Sequence, residues 1–371
     1  MNYIAKRLAD PRQAGVSLIE LMVAIAIGSV LMLGLTYTFK NSADSSRELE
    51  RVGKMIENGR YSISLLTDNL HHAGFYGYFY STGDPLSTLP DPCEIGNLSE
   101  IRNAFSMPLQ GFAAPDFTTR ADVTGDTTCD NKNLIINSNL SPGSDILVLR
   151  RASTEVFTGN PVQDDVYVQA NSRQANLLLG NSLADVPNDA ADGSTQSMKM
   201  YPFSTTNTTP AETRKYHVHV YFVAPCSFGS GANGICTNAD DAVPTLKRLE
   251  LNSDGTNTQM EIVPLVEGVE YMKVRYGIDT SPNSVNAVTN FTGDGSPDSY
   301  VASPTTAQWP LVVAVQIDLL LRAPDSTPEY TDTKQYTVAG STLGPFNDSF
   351  KRRVYSAMVR PKNLAGRREI P

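Results

Sequence analysis

Histidines, cysteines and clustered carboxylates are the residues through which this chain could do chemistry. His217 and His219 stand two apart in a β-type run and so face one side. Such a pair fits a metal or a plain polar face, and the polar face is the better reading. His71 and His72 are adjacent in a helical stretch and point apart, so they make no metal site. The run Thr292-Gly293-Asp294-Gly295-Ser296-Pro297-Asp298-Ser299-Tyr300 gathers carboxylate and carbonyl oxygens of the kind calcium takes. No glutamate follows at the twelfth position of an EF-hand loop, and a turn-rich loop is expected instead. Cys93, Cys129, Cys226 and Cys236 form no C-x-x-C pair, and no histidines accompany them at zinc-site spacing. No G-x-S-x-G, H-E-x-x-H or P-loop run occurs. The sequence thus predicts no catalytic centre, no cofactor and no metal.

One further carboxylate stands in an unusual place. From Val16 to Phe39 run 24 residues whose only carboxylate is Glu20. At about 1.5 Å per residue a helix of that length spans roughly 36 Å, enough for a bilayer core of roughly 30 Å. Lys6, Arg7 and Arg12 precede the run against a single acid, Asp10. This asymmetry puts residues 1–15 in the cytoplasm and the chain beyond about Lys40 on the other side. Glu20 lies near the cytoplasmic end, where a charge costs less than the roughly 2.5–3.5 kcal/mol of the helix centre, but its presence still needs a reason. The run ends in Thr36-Tyr37-Thr38-Phe39-Lys40, a poor signal-peptidase site. A plain signal anchor would be indifferent to Gly15 and Glu20.

The residues Gly15-Val16-Ser17-Leu18-Ile19-Glu20-Leu21-Met22 resemble the type IV prepilin signature. The resemblance implies cleavage by a prepilin peptidase between Gly15 and Val16, methylation of the new Val16 amine, and an assembly role for Glu20. Val16 departs from the usual phenylalanine. In a filament core Glu20 would pair with the amine of a neighbouring subunit, offsetting its desolvation. Residues 16–40 contain no proline, so the helix is expected to be continuous.

Beyond Lys40 the pattern turns amphipathic. Leu49, Val52, Ile56, Gly59, Ile63, Leu66 and Leu70 fall on one helix face, with Arg47, Glu48, Glu50, Arg51, Lys54, Glu57 and Asp68 opposite. Gly53 and Gly59 allow close approach or bending, and Gly74 fits a helix stop. The run Glu57-Asn58-Gly59-Arg60-Tyr61 and the later Ala73-Gly74-Phe75 resemble the PilW-like minor pilins. So do Leu265-Val266-Glu267-Gly268-Val269-Glu270-Tyr271-Met272-Lys273-Val274-Arg275-Tyr276-Gly277 and Arg352-Arg353-Val354-Tyr355-Ser356-Ala357-Met358-Val359-Arg360.

The expected organisation is a leader at 1–15, a transmembrane helix at 16–40, an amphipathic helix at 41–74 and a β-rich head at 75–371. The fold class is α+β, a long helix packed on a large antiparallel sheet. Strands are expected at Asp145–Arg151, Asp165–Ala170, Lys215–Val223, Leu246–Leu251, Gln259–Val263, Tyr271–Ile278, Leu311–Arg322, Gln335–Val338 and Arg352–Arg360. Loops are expected at 81–130, 171–195, 225–244 and 279–308. In an exported head the four cysteines predict two disulfides, Cys226–Cys236 across a short Gly/Ser/Asn loop and Cys93–Cys129 across a longer one.

The formal net charge of −9 argues against sequence-independent nucleic-acid binding. Arg352, Arg353, Arg360, Lys362, Arg367 and Arg368 form a basic C-terminal cluster, read as a solvated tail. The resemblance implies a minor pilin in the inner membrane and at the pilus tip, with its head in the periplasm. Implied partners are other minor pilins, the major pilin, the inner-membrane assembly platform, a tip adhesin and the lipid bilayer. A priming role in assembly would support twitching motility, adhesion or DNA uptake. Two alternatives stand beside it: a GspJ-like pseudopilin of a type II secretion system, and a membrane-anchored periplasmic enzyme, which the missing catalytic cluster disfavours.

Overall fold

The computed structural model describes residues 15–79, 86–94, 98–123, 135, 139–181, 209–231, 234–281 and 293–366. The chain divides between Val52 and Gly53 into two units. The first consists of the N-terminal part of helix α1 (Leu18–His72), whose large apolar residues from Leu18 to Phe39 are exposed all round. Helix α1 stops where Gly74 enters the left-handed region at φ 73°. His72 Nδ1–H donates to the Asp68 carbonyl at 2.8 Å, in the last turns of the helix, while His71 Nδ1–H donates to the Arg360 carbonyl at 3.2 Å and ties the helix end to a segment 289 residues on.

In the second unit, β1 (Leu109–Phe112), β2 (Ile146–Ala152), β5 (Thr213–Ala224), β3 (Val166–Ala170) and β4 (Ala175–Leu179) lie side by side in that order. Strand β6 (Thr245–Ser253) pairs with the C-terminal half of β5, and β7 (Thr258–Glu267) pairs with β6, completing a seven-stranded sheet. The second sheet orders β13 (Arg352–Val359), β10 (Val312–Arg322), β8 (Val269–Ile278) and β9 (Ser299–Val301). A small ribbon pairs β11 (Tyr336–Val338) with β12 (Ser341–Leu343). Every pairing among the described strands is antiparallel. A short helix α2 (Leu98–Asn103) precedes β1, and α3 (Lys362–Ala365) follows β13.

Alternation along the strands separates the cores. On β5, Tyr216, Val218, Val220 and Phe222 enter a core with Tyr76, Phe105 and Val168, while Tyr221 and Val223 point the other way. That second core is shared by both sheets and by α1. It holds Leu147, Leu149 and Leu246 from the first sheet, Met272, Val274, Val315, Ile317 and Leu319 from the second, and Met55, Leu66 and Leu70 from α1. A third, smaller core places Leu320 against Tyr336, Val338 and Leu343. Strands buried on both faces read as near-continuous apolar runs, which is why β5 and β10 stand out in the sequence.

The sheets join at one residue. Strand β7 ends at Glu267 and β8 starts at Val269, so Gly268 is the corner where the chain passes from one sheet to the other. Its φ is 86°, and a Cβ there would lie 2.7 Å from the Arg322 carbonyl oxygen, leaving room only for glycine.

Nine expected strands are present, with ends shifted by at most four residues. Three expected loops need correction. The 81–130 stretch contains α2 and β1, 171–195 contains β4, and 279–308 contains β9. Each of these strands has three to five residues, too short for alternation to mark it. The buried face of α1 is also turned from the expected one. Met55, Gly59, Ser62, Leu66 and Leu70 are buried, while Leu49 is 72 % exposed. Ser62 tolerates burial because its hydroxyl donates to the Asn58 carbonyl at 2.8 Å.

Candidate functional site

Gly15 and Val16 lie just before the start of α1, outside regular secondary structure, and Val16 is 74 % exposed. Ser17 caps the helix. Its backbone N–H donates to Glu20 Oε2 at 2.9 Å, and its Oγ accepts the Ile19 N–H at 3.4 Å. This is the glutamate half of a capping box, the Glu20 carboxylate reaching back to the Ser17 N–H while the serine hydroxyl caps the second N–H of the helix, that of Ile19. Glu20 therefore has a local structural role besides the intersubunit one expected for it. The S-x-x-E spacing was legible in Ser17–Glu20, but the prepilin motif drew the reading to Glu20 alone.

Farther along, the polar side chains turn inward on their own helix. Ser29 Oγ donates to the Ile25 carbonyl at 2.8 Å, Thr36 Oγ1 to Met32 at 2.8 Å and Thr38 Oγ1 to Gly34 at 2.9 Å. Hydrocarbon offers no partner to a hydroxyl, so a bond four residues back is what a lipid-facing helix requires. Tyr37 comes near the end of the apolar run, where aromatic rings suit the membrane interface.

In the second unit, three stretches singled out in the sequence meet at one joint. Asn58 Nδ2 donates to the Glu267 carbonyl at 3.0 Å, beside the Gly268 corner. Gly59 packs under the ring of Tyr355 so closely that a Cβ would overlap Cε2, Cζ and Cδ2. Tyr355 OH donates to the Met55 carbonyl at 3.4 Å. Asn58, Gly59, Glu267 and Tyr355 thus fasten α1 to β7 and β13 through contacts 209 and about 300 residues apart in sequence. Gly53, by contrast, has open space around it. A groove of about 520 Å³ runs alongside the joint, lined by Arg60, Ile63, Thr67, His71, Tyr355 and Ser356.

Charged residues of the same stretches are structural. Arg352 is buried and binds three carboxylates: Nε to Glu270 Oε2 at 2.6 Å, Nη1 to Asp332 Oδ2 at 3.1 Å and Nη2 to Asp348 Oδ2 at 2.6 Å. Its guanidinium also lies 3.8 Å from the Phe346 ring centre. The expected basic C-terminal cluster is corrected accordingly, since Arg352 belongs to an internal ion network and not to a solvated tail. Arg353, Arg360 and Lys362 are exposed, and Arg367 and Arg368 lie outside the described residues. Asp145, equally buried, pairs with Lys273 Nζ at 2.8 Å and accepts the N–H groups of Ala114 and Val274. Burial raises its pKa against the pull of Lys273.

His217 and His219 face the α1 side of the first sheet, with ring centres 5.5 Å apart. Asn69 Nδ2 is occupied by the Leu65 carbonyl, so its Oδ1 accepts from His219 Nδ1–H at 3.1 Å. Burial and the neighbouring cations Arg151, Lys215 and Arg248 lower the His217 pKa to about 4. Burial, then Arg248, His217 and Arg151, hold His219 well below its ordinary value. Arginines beside the pair repel a cation, and the two imidazoles form a neutral polar seam. In the acidic loop, Asp298 Oδ2 accepts from Thr280 N–H at 2.7 Å and Thr280 Oγ1 at 2.9 Å, and Asp294 Oδ1 accepts from Ser296 N–H at 2.8 Å. Those carboxylates close turns. Thr292 lies outside the described residues.

Cys226 and Cys236 are joined in a disulfide. Cys93 is disulfide-bonded too, and its expected partner Cys129 lies outside the described residues.

Two family models match the chain. The one described as type IV pilus-assembly protein W covers residues 220–363, from within β5 to α3, and so includes Gly268, Arg352 and Tyr355. The one described as the prokaryotic N-terminal methylation motif covers residues 10–36, and so includes Gly15, Val16 and Glu20. Among solved structures, a type IV-like pilin from Thermus thermophilus matches with a TM-score of 0.31 at 11 % identity, over 84 % of this chain and 97 % of that one. No curated protein sequence matches.

Proposed function

We propose that this chain, a PilW-family type IV pilin, is the minor subunit that joins a priming complex with other minor pilins and starts the filament from its tip. The observation that carries the membrane part of this reading is the N-terminal helix. It is exposed and apolar on all sides, its hydroxyls at Ser29, Thr36 and Thr38 are satisfied within the helix, and it keeps a single carboxylate near its start. Such a helix is soluble in a bilayer and in a bundle of like helices. Prepilin peptidase would cut between Gly15 and Val16, and Glu20 would exchange its bond to the Ser17 N–H for the amine of a neighbour when helices gather. The reading is structural rather than enzymatic.

The tip position rests on bulk. A head of about 300 residues has a radius of gyration of roughly 19 Å as a compact domain. Shaft subunits must pack their heads as closely as their helices, and one open side at a tip removes that limit. Absence of proline from the whole of α1 fits the same role. The PilW match favours the pilus over the secretion-system alternative. Deleting the gene should sharply reduce surface pili while the major subunit accumulates in the inner membrane, and sheared pili should contain only traces of this protein by quantitative mass spectrometry. Amounts comparable to the major subunit would end the tip reading. Twitching motility, adhesion and DNA uptake would be lost together with the filament.

A further inference from the structure

Lys247 is a buried lysine with no carboxylate in hydrogen-bond reach among the described residues. It lies on β6 facing the first core, it is 1 % exposed, and among the described residues its ammonium has only two partners. They are the two sulfurs of one disulfide: Nζ is 3.6 Å from Cys226 Sγ and 3.6 Å from Cys236 Sγ. A disulfide sulfur is a weak acceptor, so in the oxidised protein this cation is poorly compensated for its lost water. Asp241 and Asp240 oppose the effect from farther off, yet burial still pulls the lysine pKa down.

The surroundings give the bond an approach and a rigid frame. A cleft of about 280 Å³ is lined by Ser227, Phe228, Gly229, Gly234, Lys247 and Met260; it reaches the lysine and residues next to each cysteine in the chain, the cysteines themselves being buried beside it. The loop is held by its aspartates: Asp241 accepts from Ser227 N–H at 2.8 Å and Ser227 Oγ at 2.6 Å, and Asp240 accepts from Ser230 N–H at 3.1 Å and Thr237 N–H at 2.7 Å. Those bonds do not involve the sulfurs and would survive opening of the S–S bond.

We propose that Cys226, Cys236 and Lys247 form a redox site, an ammonium-assisted disulfide tuned toward reduction by dithiols that enter through this cleft. A thiolate of the dithiol attacks one cysteine sulfur and forms a mixed disulfide. The S–S bond breaks, and its electron pair leaves on the other sulfur, where the Lys247 ammonium receives the new thiolate. The second thiol of the reductant, losing its proton to solvent, then closes the reductant's own disulfide and expels the first cysteine as a thiolate, which takes up a proton. The balance is one dithiol oxidised and one disulfide reduced to one thiol and one thiolate paired with the Lys247 ammonium, with one proton released to solvent. Equal distances let Lys247 serve whichever sulfur leaves. Reduction replaces two weak sulfur contacts by an ion pair, so the lysine favours the dithiol form.

This inference is independent of the pilus reading. The test equilibrates the full-length protein in detergent with mixtures of oxidised and reduced dithiothreitol. The state of each cysteine is then read by alkylation and peptide mass spectrometry, with the disulfide of Cys93 as internal reference. Lys247→Met should make Cys226–Cys236 at least tenfold harder to reduce, about 30 mV for two electrons. The reference should not move, and Lys247→Arg should stay near wild type. If the lysine merely braces the disulfide, Lys247→Met will instead ease reduction, and the proposal fails. An unchanged equilibrium overturns it equally. Should Lys247→Met not fold, the reduced wild type decides. One of Cys226 and Cys236 should alkylate with a pKa at least one unit below the ordinary value of about 8.5, and two ordinary thiols would overturn the site.

Discussion

Replacing Gly59 by alanine sets two effects of known size against each other at the joint between α1 and β13. In a helix interior, alanine is favoured over glycine by about 1 kcal/mol. Here the added methyl would overlap three carbons of the Tyr355 ring. Overfilling a packed contact costs roughly 1–3 kcal/mol. Tyr355 is only partly buried, and its hydroxyl bond to the Met55 carbonyl at 3.4 Å is a long one, so the ring will swing aside and the cost will fall mid-range. Gly59→Ala should therefore destabilise the head by about 1 kcal/mol. In a Tyr355→Ala background the obstacle is gone, and the same substitution should stabilise by about 1 kcal/mol. The sign reverses, and the coupling in the double-mutant cycle is about 2 kcal/mol. Urea unfolding of the four proteins in detergent, followed by near-ultraviolet circular dichroism, measures all four corners. If Gly59→Ala stabilises both backgrounds alike, the close packing at this joint is wrong.

Four other outcomes are expected. Arg352→Met should cost about 3–5 kcal/mol by chemical denaturation, because it leaves Glu270, Asp332 and Asp348 without the guanidinium they share; a loss below 1 kcal/mol would mean the network is solvated. The folded His217 pKa of about 4 lies below the unfolded value of about 6.5, so the unfolded state binds the extra proton between them. The share of stability contributed by His217 should be complete above pH 6.5 and be lost as pH falls toward 4, amounting to about 3 kcal/mol at most; His219, also held low, adds to the slope, and His217→Gln should remove the His217 share in denaturation curves taken across the range. Intact mass of the mature protein should show loss of residues 1–15 and one added methyl, while Glu20→Ala should leave head stability unchanged and lower incorporation into pili; a mature chain starting beyond Lys40 would refute the processing, and normal incorporation the assembly role.

What could be read from the sequence was whatever repeats at short range. The apolar run from Val16 to Phe39 and the long strands β5, β8 and β10 announce themselves by composition and alternation. The amphipathic face of α1 was legible only in part: Gly59, Leu66 and Leu70 lie on the expected face and are buried, while buried Met55 and Ser62 were not placed there, Ser62 because a serine carries no hydropathic signal. Gly59 is buried because of a ring nearly three hundred residues away, and Ser62 because its hydroxyl has a local acceptor. Arg352 shows the same limit. Among the arginines at the end of the chain nothing marks it as internal, since the carboxylates that neutralise it come from β8 and from the loops before β13. Lys247 likewise reads as an ordinary surface residue of a strand until the disulfide is seen against its amine.

The corner at Gly268 bears on how the head comes apart. Strands β7 and β8 are in effect one ribbon bent at a single residue, and its two halves are structural members of different sheets. Hydrogen bonds flank the bend on both sides, Gly268 N–H to the Pro244 carbonyl at 2.7 Å and Arg322 N–H to the Gly268 carbonyl at 2.8 Å. Fraying that begins in either sheet therefore reaches the other with no slack segment to absorb it. Both sheets also line one apolar interior, and neither could keep that shared face dry alone. The head should melt as a single cooperative block, with amide protons of β6 and β10 exchanging at a common rate set by global opening.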